Sequence, residues 1–181
     1  MSAYREEIRN TIRAIPNWPS PGVTFRDIMP LLQDPKMFHK LVESFVQRYQ
    51  AMNITAVAAI DARGFILGAP IAYELGLSLV TVRKKGKLPY DTIEQNYDLE
   101  YGSATIELHT DAVSSGDQVV VIDDLIATGG TMLAACKLIT RLGAEVVEAA
   151  SIIDLPDLKG SHKLRQAGFN VFSICEFEDH Q

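Results

Sequence analysis

A chain of 181 residues that is 47% hydrophobic and 22% charged can build one domain with a substantial core, and its evenly spread apolar residues exclude disorder. The net charge of −6 disfavours nonspecific nucleic-acid binding, and no apolar run reaches the ~20 residues of a membrane-crossing helix. Residues 1–7 lack the apolar core of a secretory signal, and Cys136 and Cys175 lack metal-ligand spacing, so a reduced, cytoplasmic protein is expected.

Residues 5–15 carry Ile8, Ile12 and Ile15 at helical spacing and predict an N-terminal helix. The loop Pro16-Asn17-Trp18-Pro19-Ser20-Pro21-Gly22 breaks it. Asp34 caps and Pro35 opens a second helix, whose Phe38, Leu41, Val42, Phe45, Val46 and Tyr49 form one core-facing stripe. Residues 56–60 read as a strand, 65–75 as a helix ended by Gly76, and 78–82 as the next strand. Then Arg83-Lys84-Lys85-Gly86-Lys87-Leu88-Pro89-Tyr90 sets four cations in five positions of an acidic chain. Alone it is a solvated basic loop. Directly after a strand, with a glycine and a proline, it suggests a mobile flap over residues 84–101 that meets a polyanion.

Val119-Val120-Val121-Ile122 reads as a buried parallel strand that ends in Asp123 and Asp124. A glycine turn leads into a helix over 132–139, Gly143 stops it, and 145–153 is again a strand. Two βαβ units imply a twisted, mostly parallel α/β sheet with helices on both faces and ligands beyond the carboxyl ends of its strands. No linker or low-complexity segment divides the chain.

The turn Ala127-Thr128-Gly129-Gly130-Thr131 is chemically telling. A strand that passes through glycines into a helix N-terminus aims unpaired N–H groups and the positive dipole end at one spot, which suits a phosphate. Two carboxylates beside that spot would repel a second phosphate but can hold ribose hydroxyls. One loop therefore offers grips for both ends of a ribose 5-phosphate. The phosphate-loop Gly-x-x-x-x-Gly-Lys and the dinucleotide Gly-x-Gly-x-x-Gly are both absent.

The hydrophobic run followed by Asp123-Asp124-x-x-Ala127-Thr128-Gly129-Gly130-Thr131 resembles the 5-phosphoribosyl 1-diphosphate (PRPP) loop of the type I phosphoribosyltransferases. Ile60-Asp61-Ala62-Arg63-Gly64-Phe65 resembles their pyrophosphate loop, which implies a cis peptide between Asp61 and Ala62. Arg83 to Pro89, Gly22-Val23-Thr24-Phe25-Arg26-Asp27-Ile28 and Leu99-Glu100-Tyr101-Gly102 resemble segments of the adenine-using branch, and the resemblance covers nearly the whole chain.

The resemblance implies one domain over 1–181 with the type I fold and a small hood over the active site, to which residues 1–34 contribute. It implies transfer from PRPP to adenine, giving AMP and pyrophosphate in purine salvage, by a homodimer. Phe25 and Leu125 would sandwich the purine, and backbone groups around Thr24 and Arg26 would read its edge. A guanine, with reversed edge polarity, would leave those groups unpaired. Arg63, Lys84, Lys87 and magnesium would meet the pyrophosphate charge, the metal held mainly by pyrophosphate oxygens rather than by side chains. Asp123 and Asp124 would hold the ribose hydroxyls, and Ala127, Thr128, Gly129, Gly130 and Thr131 the 5′-phosphate. Glu100 would handle the purine proton near N7. His39, His109, His162 and His180 show no ligand spacing. Two competing readings are a phosphoribosyltransferase for another purine base and a noncatalytic PRPP-sensing regulator. The second would need a DNA-binding module or a basic RNA surface, which an acidic chain does not suggest.

Overall fold

In the computed structural model, residues 3–98 and 102–178 are described. The N-terminal helix is shorter than its isoleucine spacing predicts. Helix α1 spans Ala3–Thr11, and Arg13–Pro16 instead forms strand β1, antiparallel to β2 (Thr24–Asp27). Ile8 and Ile12 enter the core, whereas Ile15 pairs with Phe25. Pro16 bars the helix from continuing and pushes Ile15 out of the helical region, and pairing of residues 13–16 with β2 sets the strand. The intervening loop contains a cis Trp18–Pro19 peptide and is closed by the Trp18 N–H donating to the Val23 carbonyl at 3.1 Å.

A five-residue helix, α2 (Met29–Gln33), is too short to show a period and leads into α3 (Pro35–Tyr49). The Asp34 carboxylate accepts from the Lys36 and Met37 N–H groups at 2.9 and 3.2 Å, the cap expected from the sequence. Leu41, Val42, Phe45 and Tyr49 are buried, with Phe38 and Val46 packed beside them. Arg48 grips Glu148 through Nε at 2.7 Å and Nη2 at 2.6 Å, and the Tyr49 hydroxyl donates to the same carboxylate at 2.8 Å.

The central sheet follows from the predicted βαβ units. β3 (Ala56–Ile60) leads through α4 (Arg63–Leu75) to β4 (Ser78–Lys84), with Gly76 left-handed at the helix stop. After an antiparallel hairpin, β5 (Thr92–Asp98) and β6 (Ser103–His109), the chain enters β7 (Gln118–Ile126). It continues through α5 (Gly130–Arg141), β8 (Glu145–Asp154), α6 (Gly160–Gln166) and β9 (Val171–Glu176). The seven strands lie in the order β5-β6-β4-β3-β7-β8-β9. The five from β4 to β9 are parallel, and β6 joins β4 antiparallel.

Alternating residues of β3 and β7 feed two cores. Val57, Val120 and Ile122 face α3 and α4, while Ala58, Ile60, Val119 and Val121 face α5. Both faces are covered, which is why these strands read as unbroken apolar runs. The segment expected as a flap begins at the end of β4 and rises into the β5–β6 hairpin at the sheet edge. β3 and β7 sit side by side, yet their crossovers run to opposite sides. A crevice therefore opens beyond their carboxyl ends.

Candidate active site

The two predicted loops meet at that crevice. After β3 the chain turns through a cis Asp61–Ala62 peptide, as expected, into Arg63 at the start of α4. After β7 it turns through residues 127–129 into α5. The close approach needs Gly64: a Cβ there would lie 2.8 Å from the Ile122 carbonyl oxygen and 3.2 Å from Asp123 Oδ1. The result is a cavity of ≈ 180 Å³ lined by Arg63, Asp123, Asp124, Leu125 and the loop from Ile126 to Met132. Arg63 Nε stands 2.9 Å from Asp124 Oδ2, so one ion pair joins the two loops.

Both acids are held from water. Asp124 is buried, and Asp123 is half-buried with Oδ1 accepting the Asp124 N–H at 2.8 Å. Burial raises the Asp123 carboxyl well above its ordinary range, and the negative charge of Asp124 adds to this. Burial also raises Asp124, against the opposing pull of the Arg63 guanidinium. Such a pair welcomes hydroxyl donors and positive charge.

At the other end of the cavity Gly129 is left-handed, with φ at 74°, and precedes α5 without a side-chain cap. The first-turn N–H groups of this helix thus lie at the head of the loop beside the Thr128 and Thr131 side chains. The backbone is packed tightly from below. A Cβ on Gly160, the first residue of α6, would lie 2.2 Å from the Ala127 carbonyl oxygen and 2.6 Å from the Gly129 nitrogen. On the far side a Cβ on Gly130 would lie 2.9 Å from the Asp98 carbonyl oxygen. The β5 strand therefore arrives against the N-terminus of α5. Glu100, predicted as the acid/base residue, lies outside the described residues.

The β1–β2 ribbon brings Phe25 to the same place. Its ring belongs to neither core cluster; it meets Trp18 edge-on at 4.5 Å between centroids, and the Arg63 guanidinium stands 5.7 Å from its centre. Thr24 is exposed, while the Arg26 side chain turns inward with its guanidinium 4.2 Å from the centre of the Phe177 ring. Among the described residues β2 pairs only with β1, so alternate backbone groups of 24–27 face away from a strand partner. Leu125 is half-buried against the core. Asp27 is held below its ordinary range by the Met29 N–H and by Arg13, which binds it at 2.5 and 3.0 Å.

Lys84 and Lys87 are exposed at the mouth of the basic loop. This loop is more ordered than its composition suggests, because buried Glu107 on β6 accepts the Lys87 and Leu88 N–H groups at 2.8 and 2.7 Å. Sequence reasoning missed Glu107, Gly160 and the Trp18 ring. An isolated glutamate in a polar strand and a glycine after Lys159 carry no local pattern; only the fold makes them neighbours of the site. Among the described residues no group of three or more His, Cys, Asp or Glu could hold a metal, and no helix is long and apolar enough to cross a membrane.

A family model for the phosphoribosyl transferase domain matches residues 30–174. The chain is 60% identical over 181 residues to the adenine phosphoribosyltransferase of Chromohalobacter salexigens, covering 100% of both. It is 59% identical over 178 residues to that of Marinobacter nauticus, covering 98% of this chain and 99% of the other. The crystal structure of the adenine phosphoribosyltransferase from Thermoanaerobacter pseudethanolicus superposes with a TM-score of 0.91 at 43% identity, over 96% of this chain and 99% of that one. The Saccharomyces cerevisiae enzyme, complexed with an imino-altritol bisphosphate and adenine, gives 0.90 at 34% identity, over 97% and 100%.

Proposed function

This chain belongs to the adenine phosphoribosyltransferases of the phosphoribosyl transferase domain family, and from that premise we propose how its own residues join adenine to PRPP. The enzyme is a pentosyltransferase with the type I fold; its products are AMP and pyrophosphate, and its role is purine salvage. The observation that carries the residue assignment is the cavity itself: an acid pair and a helix N-terminus face each other across the length of one short loop.

The 5′-phosphate sits on the backbone of Ala127, Thr128, Gly129, Gly130 and Thr131, where N–H groups and threonine hydroxyls converge. Asp123 and Asp124 take the ribose hydroxyls and favour positive charge as it grows on the ring. The pyrophosphate leaves toward Arg63 and the exposed Lys84 and Lys87. Remote grips of this kind fix the anomeric carbon in line with the base. Magnesium bound to the pyrophosphate would offset its growing charge. The ion would draw its ligands mainly from the hard pyrophosphate oxygens and water rather than from side chains.

Adenine lies between Phe25 and Leu125, its edge read by backbone groups at Thr24 and Arg26 in the hood supplied by residues 1–34. The flap over 84–101 brings Glu100 to N7, where a carboxylate can hold the tautomer that leaves N9 nucleophilic. The chain acts as a homodimer: Ile66, Tyr73 and Leu79 are exposed apolar side chains on α4 and β4 that a second copy would cover. Its two free, buried thiols suit a reducing cytoplasm.

The test is to supply PRPP and magnesium with each purine base in turn and to measure pyrophosphate release. Release with adenine and none with guanine, hypoxanthine or xanthine is expected. Equal release with guanine would overturn the assignment of the base site.

A further inference from the structure

Glu107 poses a problem that the reaction does not explain. It lies near the sheet edge yet is only 3% exposed, and a buried carboxylate is costly unless it is paired. Its neighbours answer the problem. On β4 it faces Arg83 and on β5 it faces Glu94, which itself binds Lys85 at 2.8 Å. Oε1 accepts both the Lys87 and the Leu88 N–H, so the turn of the basic loop is folded round one oxygen. Burial pushes this carboxyl up, but the Leu88, Gly86 and Lys87 amides outweigh it, so the group stays ionised at neutral pH. Gly86, with φ at 82°, makes the tight turn possible.

Arg83 completes the grip. Its Nη1 donates to the Lys87 carbonyl at 3.2 Å, and its Nε donates to Asp61 Oδ2 at 3.1 Å. The peptide groups on both sides of Lys87 are thus held, the N–H by Glu107 and the C=O by Arg83, while the side chain stays exposed. Asp61 is the residue before Ala62-Arg63, so the same arginine ties the basic loop to the other cation of the leaving-group site.

We propose that Glu107 is a positioning residue: with Arg83 it fixes the 84–88 turn so that Lys84 and Lys87 stand ready for pyrophosphate in register with Arg63. This rests on the reading of Lys84 and Lys87 as pyrophosphate ligands. Even with Arg83 paired to Asp61 and Lys85 to Glu94, four cations in five positions repel one another and favour spreading of the turn. A buried anion beneath their backbone counters that repulsion without occupying their side chains.

The test measures the affinity of magnesium-PRPP and of AMP for Glu107→Leu, Glu107→Gln and Lys84→Ala/Lys87→Ala, by calorimetry with a thermal melt for each. AMP shares the ribose, phosphate and base grips but lacks the pyrophosphate. Glu107→Leu is expected to weaken PRPP about tenfold, the scale of a hydrogen bond to a charged group, with AMP changed by less than about twofold. Glu107→Gln keeps an acceptor and is expected to recover part of that loss. Combined with the double lysine change, Glu107→Leu is expected to add little, because its effect passes through those lysines. Equal losses for PRPP and AMP, or full additivity, would overturn the positioning role. If the double lysine variant alone leaves PRPP affinity intact, the reading of the lysines fails instead, and with it the premise. Should Glu107→Leu not fold, Glu107→Gln decides by the same PRPP-to-AMP ratio.

Discussion

Asp123 and Asp124 are placed where stability alone would not put them. Two adjacent carboxyl groups near the carboxyl end of β7, one buried and one half-buried, share one arginine from the neighbouring loop. Both carboxyl pKa values are raised, chiefly by burial and, at Asp123, also by the charge of Asp124. A carboxyl with a raised folded-state pKa binds its proton more tightly when folded, so folding stability falls as pH climbs from the ordinary carboxylate range through the raised value. Asp123→Asn removes that liability and keeps an acceptor for the Asp124 N–H. The unliganded variant is expected to melt a few degrees higher at about pH 8, on the order of 2–4 °C per kcal/mol for a chain of this size. The gain is expected to shrink towards about pH 4, and turnover should fall at both values. A melting temperature that is lowered at about pH 8 would show that the pair is not strained by its charge. Glu100 calls for a separate measurement. If it manages the purine proton, Glu100→Gln should lower the single-turnover rate with saturating adenine by roughly 10²–10⁴ and leave PRPP affinity almost unchanged. A parent-like rate would return Glu100 to the status of a solvated flap charge.

At the scale of elements, the proposed phosphate loop rests on a helix that contributes no side chain to its cavity. The start of α6 runs under residues 127–129, and the Gly160 N–H donates to the Ala127 carbonyl at 3.1 Å. A methyl group on Gly160 would meet backbone atoms at 2.2 and 2.6 Å, and neither can swing aside as a side-chain tip could. Gly160→Ala is therefore expected to push the loop upward and weaken both AMP and PRPP by at least about tenfold, because both use the 5′-phosphate grip. Retained affinity for AMP would mean that α6 gives way instead. β3 and β7 were legible because strands buried on both faces are unbroken apolar runs, and α3 because its stripe, cap and proline agree. β1 was not, since Ile8, Ile12 and Ile15 continue a helical period past the point where Pro16 forbids it. The β5–β6 hairpin was hidden by composition: Thr92-Ile93-Glu94-Gln95-Asn96-Tyr97-Asp98 is polar, alternates between exposed and half-buried positions without a buried residue, and is defined by its partner strand. α6 is seven residues long and lacks a period altogether. For the site, the contiguous motifs after β3 and β7 were legible, whereas Glu107 and Gly160 reach it only through the sheet order.

For the molecule as a whole, the sheet order and the charge distribution pull in different directions. The crossovers diverge between β3 and β7, so the crevice must open there, and the substrate it receives carries phosphate and pyrophosphate groups. Yet the chain has a net charge of −6. Its distant field repels such a substrate, and only the cations at the crevice attract it. The two effects differ in range. At about 0.1 M salt the screening length is about 10 Å, so charges across the molecule are already muted while Arg63, Lys84 and Lys87, the proposed pyrophosphate ligands, would still act at short range. Raising salt from about 0.1 M to about 0.5 M should therefore weaken PRPP binding, because it removes mainly the local attraction. Near about 0.01 M, where the screening length is about 30 Å, the distant repulsion returns and the dependence should flatten. Calorimetry at fixed magnesium across this range would trace the curve. Lys84→Ala/Lys87→Ala should give weaker binding and a shallower slope above about 0.1 M, since it lacks the short-range charges that salt masks. If PRPP binds more tightly as salt rises above that point, the distant repulsion outweighs the local cations, and Lys84 and Lys87 do not meet the pyrophosphate.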